Sequence, residues 1–218
     1  MNLSIQYNNK IDSKQEIEAL VYKAYNLNKE FFGKELSNLV VKLFYNREDF
    51  DFYFEKAYNQ KSEKWMVAWI PESCLINIFS PSAFESQTSH SKDNFIKVLT
   101  HEISHVFIKE IYEINKPRWL IEGLADYVSG KNLNNILLKE IIDFKELHNF
   151  KDFHKHNAYN QSGLFVKYLL DTFGKIKLFD LLINLKLNKN EFDDFCEIFK
   201  KIYKSDFQEI VKNWYNLI

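Results

Sequence analysis

Two histidines and a glutamate near the middle of the chain have the side chains needed to hold a metal ion beside a base. They are His101, Glu102 and His105, in the sequence HEISH. On an α-helix, positions four apart differ by about 40° in rotation, so both imidazoles project from one face. Two neutral imidazoles at this spacing can hold zinc, whereas the glutamate, turned by about 100°, can reach a water but not the metal. The pattern predicts metal-assisted hydrolysis.

The residues around this motif predict a helix that is largely buried. Apolar side chains occupy much of its circumference, at positions 95, 96, 98, 99, 103 and 106–108. A buried helix would not carry two histidines and a glutamate inward without a partner, and a metal ion is the simplest partner. The alternative is a solvated helix face that bears two unrelated histidines.

A third zinc ligand is predicted at Glu122, in the segment PRWLIEGLADY at 117–127. A catalytic zinc site has three protein ligands and leaves the fourth position to water. Pro117 suits the first turn of a helix. Glu122 follows His105 by 122 − 105 = 17 positions, which is enough for the first helix to end and a second one to return.

Two neighbours of Glu122 support this assignment. Gly123 costs about 1 kcal/mol inside a helix, and a close approach of another helix at the metal would explain that cost. Asp126 lies one turn beyond Glu122 and could accept a hydrogen bond from the second nitrogen of a ligating histidine. The alternative is an ordinary amphipathic helix with two exposed acids.

The sequence HEISH followed by WLIEGLADY resembles the gluzincin metallopeptidases, and most closely the peptidase-MA-like group. The resemblance implies one zinc ion (Zn²⁺) per chain, bound by His101, His105 and Glu122, with Glu102 as the general base acting on a zinc-activated water. The spacing of Glu122 and Asp126 is similar to that of thermolysin-like enzymes, in which the aspartate supports a zinc-binding histidine. Metzincins carry a third histidine six residues after the motif, where this chain has an isoleucine, so that class is excluded.

A donor to the oxyanion of the tetrahedral intermediate is predicted at Tyr159. This tyrosine opens a predicted helix and precedes small residues, which is similar to the pattern of aminopeptidase-type gluzincins. A tyrosine that only packs at a helix end is the alternative. His154 and His156, just before the same helix, are either further candidate donors or solvated loop residues. Two other histidines, at positions 90 and 148, are interpreted as surface residues.

Composition excludes several kinds of partner. The 218 residues carry a formal net charge of −1, with lysine and arginine spread throughout, so a nucleic-acid-binding surface is not expected. We find no signal-peptide core and no stretch long enough to span a membrane, so the cytoplasm is the expected compartment unless a leader has been removed. Cys74 and Cys196 are interpreted as small buried side chains in a reducing compartment. A single disulfide bond between them is the alternative. The oligomeric state is not predicted.

Periodicity predicts the elements that position these residues. We expect a helix from a capping box at 13–16 to Gly33, and strands at 39–45, 65–70 and 74–79, the last two forming an antiparallel hairpin. Residues 49–58 are predicted to form either a short helix or an extended segment. Residues 80–92 are predicted to form a loop, and Asp93 is a possible cap for the motif helix. Strand 74–79 is a candidate edge strand for an extended peptide substrate, with an internal strand as the alternative. Further helices are expected at 133–142, 159–173, 176–185 and 207–217.

Together these elements predict an α+β fold of zincin-like form. One domain spans 1–218, with a small mixed β-sheet and the motif helix up to about 113 and a mainly helical lobe from about 114. The predicted function is hydrolysis of a peptide or protein substrate by a zinc metallopeptidase. The alternative is a catalytically inactive zincin-fold binding or regulatory module. Glu102 argues against it, since a scaffold kept only for its shape needs no base.

Overall fold

The strands of the described structure lie in the first half of the chain. The computed structural model describes residues 2–7, 12–88, 90–131, 133, 143–148, 158–186 and 191–217. The chain divides into two compact units, Met1–Glu110 and Ile111–Ile218. The predicted α+β class is confirmed, because the first unit contains a small mixed sheet and the described part of the second is mainly helical. That the two units form one domain stays a prediction.

The first unit contains a four-stranded mixed sheet. Its strands are β1 (Asn2–Tyr7), β2 (Asn38–Phe44), β3 (Ala68–Glu72) and β4 (Leu75–Phe79), in the order β1-β2-β4-β3. β1 and β4 run parallel to β2, while β3 and β4 form the predicted antiparallel hairpin. β1 goes beyond the sequence prediction, although Leu3, Ile5 and Tyr7 alternate with exposed residues along it as a half-buried strand requires.

β4 is an internal strand of this sheet. It pairs with β2, where Val41 lies opposite Ile76, and with β3, where Ala68 lies opposite Ile78. The prediction that residues 74–79 form an edge strand for a peptide is therefore wrong, because both sides of β4 already have main-chain partners. Within the described sheet, the edge strands are β1 and β3.

The helices of the first unit are α1 (Lys14–Phe32), α2 (Arg47–Tyr58), α3 (Pro81–Gln87) and α4 (Asn94–Phe107). α1 ends as predicted, with Gly33 in the left-handed conformation at φ 63°. α2 decides the open choice at 49–58 in favour of a helix. α3 corrects the predicted loop at 80–92, because the Ser80 side chain caps it by accepting a hydrogen bond from the Ala83 amide.

Two predicted helix caps are not formed within the described residues. Ser13 and Asp93 precede α1 and α4, but neither side chain makes a capping hydrogen bond there. At the start of α4, the Asn94 amide donates to the carbonyl of residue 91 and the Phe95 amide to that of residue 92, both at 3.0 Å. Backbone turns therefore take the place of the predicted side-chain cap on the motif helix.

The second unit is built from helices that follow a π-helical turn at Ile108–Tyr112. They are α5 (Arg118–Val128), α6 (Phe144–His148), α7 (Ala158–Leu185), α8 (Phe192–Tyr203) and α9 (Phe207–Tyr215). α7 contains both helices predicted at 159–173 and 176–185, with a break at Gly174 (φ 81°, ψ 163°), and α9 confirms the one at 207–217. α6 and α8 were not predicted from the sequence. The helix predicted at 133–142 lies outside the described residues, except for residue 133. Among the helices that the structure describes, none is long and apolar enough to cross a membrane.

Aromatic side chains pack around Trp119 in the core of the second unit. Its ring lies 5.2–5.8 Å, centroid to centroid, from the rings of four buried phenylalanines on other helices, Phe144, Phe165, Phe195 and Phe207. Burial of each of these phenylalanine side chains contributes about 1.5–3 kcal/mol. Trp119 is the second residue of α5, so this cluster anchors the helix three residues before Glu122.

Candidate functional site

The two motif histidines bring one ring nitrogen each close to a common point. The Nε2 atoms of His101 and His105 lie 3.0 Å apart, and their ring planes are inclined at 86°. Two nitrogens bound to one tetrahedral zinc at about 2.0–2.1 Å would lie about 3.3 Å from each other, so this spacing suits two ligands of one metal ion. A direct N–H···N hydrogen bond between neutral rings gives a similar distance.

α4 is fixed by a buried polar contact with α1. The side chain of Asn28, fully buried, donates from Nδ2 to the Thr100 carbonyl at 3.0 Å and accepts through Oδ1 from the Ser104 hydroxyl at 2.7 Å. Thr100 and Ser104 each directly precede one of the motif histidines. The contact therefore sets the rotation of α4 about its axis and, with it, the direction of both imidazoles.

The motif side chains lie at the margin of the buried face of α4. His101, Glu102 and His105 are half-buried, whereas the apolar residues of the same helix, including Leu99 and Ile103, are buried. The prediction of a largely buried helix is confirmed for its apolar face, which takes the inward position. Among the described residues, the Glu102 carboxylate has no hydrogen-bond or ion-pair partner. Its carboxylate is thus placed to meet water.

Glu122 and Asp126 are buried carboxylates on α5. Their residues are 2% and 1% exposed, so the alternative of an amphipathic helix with two exposed acids is wrong. Arg118 places Nη2 2.7 Å from Glu122 Oε1, and Lys131 places Nζ 2.9 Å from Asp126 Oδ2. Buried carboxylates need such partners, because a charge without compensation away from water costs several kcal/mol.

Gly123 lies where α5 and α7 come close together. A Cβ atom at this position would lie 2.5 Å from the Ser162 carbonyl oxygen and 2.7 Å from Val166 Cγ2, distances that no real side chain tolerates. The close approach of another helix, predicted as the reason for a glycine here, is observed, and that helix is α7; that the approach lies at a metal stays a prediction. The contact fixes the backbone next to Glu122.

Tyr159 lies in the first turn of α7 and shares a neighbour with Asp126. Lys131 Nζ, which binds Asp126, is 5.0 Å from the centroid of the Tyr159 ring. One turn further along α7, a Cβ atom on Gly163 would lie 3.5 Å from Asp126 Cβ. The candidate oxyanion donor and the candidate supporting aspartate therefore occupy one neighbourhood of the second unit.

Arg118 and Lys131 contact the candidate site residues, but the sequence motifs did not identify either of them as part of the site. Arg118 stands four positions before Glu122, a spacing that pairs opposite charges on one helix face and could have been recognised. Lys131 follows Gly130, whose left-handed φ of 64° turns the chain at the end of α5. Its contact with Asp126 depends on that turn, and no sequence spacing indicates it.

The remaining histidines differ in their surroundings. His148 is fully buried, with ring centroids 5.5 and 5.7 Å from those of Phe192 and Phe195, so its interpretation as a surface residue is wrong. The other histidine interpreted in that way, at position 90, is half-buried. His154 and His156, the further candidate oxyanion donors, lie outside the described residues.

Neither cysteine has the properties of a catalytic nucleophile. Cys74 and Cys196 are both free and half-buried, so no bridge joins them. Burial raises the pKa of the Cys196 thiol to about 11, and burial together with the nearby Glu110 carboxylate raises the pKa of Cys74. A nucleophilic cysteine needs a lowered pKa, because the thiolate is the reactive form. These thiols therefore do not support a cysteine-dependent mechanism.

A helix that presents two convergent imidazoles beside a half-buried glutamate, in an α+β chain, is typical of hydrolytic enzymes. The chain belongs to the BSP family, described as peptidase of plants and bacteria, whose model matches residues 75–214. The match covers more than half of the chain and contains all of α4, α5 and α7. No curated protein matches the sequence. The protein is therefore assigned to the peptidases, whose substrates are peptides or proteins.

Proposed function

We propose that this peptidase is a zinc-dependent metallopeptidase of the gluzincin type. The observation that carries the proposal is the 3.0 Å separation of the His101 and His105 Nε2 atoms, which offers two nitrogen ligands to one metal ion. Membership of a peptidase family supports peptide-bond hydrolysis. The raised pKa values of both thiols argue against cysteine as the nucleophile.

The proposed zinc ligands are His101, His105 and Glu122. Each offers one atom of the kind that coordinates a metal ion, a ring nitrogen from each histidine and a carboxylate oxygen from the glutamate. Two imidazole nitrogens and one carboxylate oxygen form a known donor set of catalytic zinc sites, which leave a fourth position for water. The burial of Glu122 fits this role, because a bound cation compensates a carboxylate that has lost its hydration.

Glu102 is the proposed general base. When bound, zinc would lower the pKa of a water molecule and polarise the scissile carbonyl group. Glu102 would take a proton from the attacking water and pass it to the departing amine. Its half-buried position next to His101 suits a group that must meet both water and substrate.

Asp126 and Tyr159 have proposed supporting roles. Asp126 would accept a hydrogen bond from the second ring nitrogen of a ligating histidine, which fixes the tautomer and orientation of that ring. The Tyr159 hydroxyl would donate a hydrogen bond to the oxyanion of the tetrahedral intermediate. Their common neighbour, Lys131, supports the assignment of both roles to one site.

Replacement of Glu102 by glutamine tests the enzyme class. We expect the wild-type protein to bind about one zinc per chain and to cleave members of a diverse peptide mixture. Glu102→Gln should retain zinc and lose hydrolysis, because the amide cannot accept the proton. Glu55→Gln, at an exposed position on α2, is the matched control and should keep full activity.

The outcomes of this experiment separate the alternatives. Full activity in Glu102→Gln would remove this residue from the mechanism. Protein that contains no zinc, even after zinc has been supplied in excess, would overturn the metal centre. A wild-type protein that binds zinc but cleaves no peptide would favour the inactive binding module.

A further inference from the structure

Arg118 occupies a position that its own helix disfavours. It is the first residue of α5, where the positive end of the helix dipole repels a cation. Its partner Glu122 lies four residues later, and an ion pair with the cation on the N-terminal side is the less favourable order along a helix. The pair therefore contributes little to the stability of the helix itself, and its role lies in what it does to the buried Glu122 carboxylate.

The ion pair joins a buried carboxylate to a guanidinium that is half-exposed. The Glu122 side chain is 3% exposed and the Arg118 side chain 51%, and the 2.7 Å between Nη2 and Oε1 is the length of a charge-assisted hydrogen bond. The guanidinium is planar and permanently charged, so it binds a carboxylate oxygen in a defined direction. Arg118 thus restricts the rotation of the Glu122 carboxylate group.

The backbone beside Glu122 is restrained by a separate contact. Gly123 packs so closely against Ser162 and Val166 of α7 that α5 cannot shift toward that helix. One contact therefore holds the backbone of Glu122 and another holds its carboxylate. Such double restraint is typical of a side chain whose direction matters.

We propose that Arg118 is a positioning residue for the metal centre. Its guanidinium binds Oε1 of Glu122 and holds the carboxylate in the orientation in which it coordinates the metal. The inference rests on the proposed function, since it takes Glu122 as a metal ligand. Because the carboxylate is oriented before the metal arrives, binding requires less reorganisation and the metal is held more tightly.

The zinc affinity of Arg118 variants of the full chain tests this inference, measured by competition with a chromophoric chelator. Arg118→Met keeps the aliphatic stem but removes the donors, and should weaken zinc binding about 10–100-fold. Arg118→Lys keeps the charge without the planar donors, and its affinity should lie in between. Lys167→Met is the matched control, because it breaks an exposed pair with Asp171, also four residues apart, on α7 of the same unit, and it should leave the affinity unchanged.

The visible absorption of cobalt-substituted protein provides a second readout. Arg118→Met should alter the d–d bands, because a displaced carboxylate changes the coordination geometry. Unchanged zinc affinity and an unchanged spectrum would overturn the inference and leave the zinc proposal intact. A lower unfolding temperature with an unchanged spectrum would also overturn it, since the role would then be structural.

Two further outcomes are decisive. If Arg118→Met does not fold, Arg118→Lys takes its place as the test. A weakened affinity with an altered spectrum in Arg118→Lys supports positioning, and wild-type values overturn it. A wild-type protein that binds neither zinc nor cobalt would overturn both the inference and the zinc proposal.

Discussion

The Ser104 hydroxyl on α4 donates to the Asn28 amide oxygen on α1 at 2.7 Å, inside a fully buried contact. Asn28 also donates to the carbonyls of Thr100 and Ala24, both at 3.0 Å. The Asn28 side chain therefore makes one hydrogen bond within α1 and two to the motif helix α4. The direction of the motif histidines depends on a residue that stands 76 positions before Ser104.

Replacement of Asn28 by alanine should destabilise the protein by about 1–3 kcal/mol, because it removes buried hydrogen bonds between α1 and α4. The free energy of unfolding can be measured by urea denaturation followed by circular dichroism. Asn184→Ala is the control, since Asn184 makes the same type of bond to a carbonyl four residues earlier, at 2.8 Å, on a less buried surface. Equal losses in the two variants would contradict the importance of the buried contact.

Gly123→Ala should be more damaging than Gly163→Ala. The new Cβ at Gly123 would meet the backbone carbonyl of Ser162 at 2.5 Å, whereas at Gly163 the nearest atom is Cδ2 of Leu133, the movable end of a side chain. We expect a loss of about 1–3 kcal/mol for Gly123→Ala. For Gly163→Ala, the gain of about 1 kcal/mol in helix propensity should offset the adjustment. Unfolding temperatures measure the difference, and the reverse order would contradict this packing.

Glu122→Ala should weaken zinc binding more than about 100-fold. Loss of a residue that only supports a metal ligand typically costs about 10–100-fold in affinity, and Glu122 is proposed as a ligand itself. Two imidazoles alone hold zinc poorly, and the alanine also leaves Arg118 beside the metal without its carboxylate. Chelator competition gives the affinity. Glu209→Ala, at an exposed position on α9, should bind zinc as the wild type does. If Glu122→Ala kept the wild-type affinity, the third ligand would lie elsewhere in the chain.

Tyr159→Phe should lower kcat about 100-fold or more and leave KM and zinc content nearly unchanged, because the hydroxyl would act only in the transition state. Steady-state kinetics on a cleaved peptide provide the measurement. Tyr168→Phe is the control on the same helix, where the ring stacks on Phe165. A wild-type kcat in Tyr159→Phe would favour the alternative of a tyrosine that only packs at the start of α7.

Features that act within one element were predictable from the sequence. The extent of α1 and its end at Gly33, the β3–β4 hairpin and the helical setting of the HEISH motif all follow from periodicity and turn chemistry over a few residues. At Gly123, the free-energy cost of a glycine inside a helix predicts a close neighbour but does not identify it. The local spacing of His101 and His105 likewise places both imidazoles on one face.

Features that depend on distant segments were decided only by the tertiary structure. Whether residues 74–79 form an edge or an internal strand depends on β2 and β3, which pair on either side of them. His148 is buried because aromatic rings of α8 pack against it, and the rotation of α4 about its axis is set by Asn28 of α1.

The same division applies to the candidate site. The sequence alone determined the ligand-type side chains and their spacing, because helix geometry repeats every few residues and needs no partner. Only the tertiary structure decided that Glu122 is buried, that Gly123 touches Ser162 and that Lys131 lies between Asp126 and Tyr159. The physical reason is that burial and charge compensation are properties of the surroundings of a residue, and those surroundings are assembled from parts of the chain that local sequence does not connect.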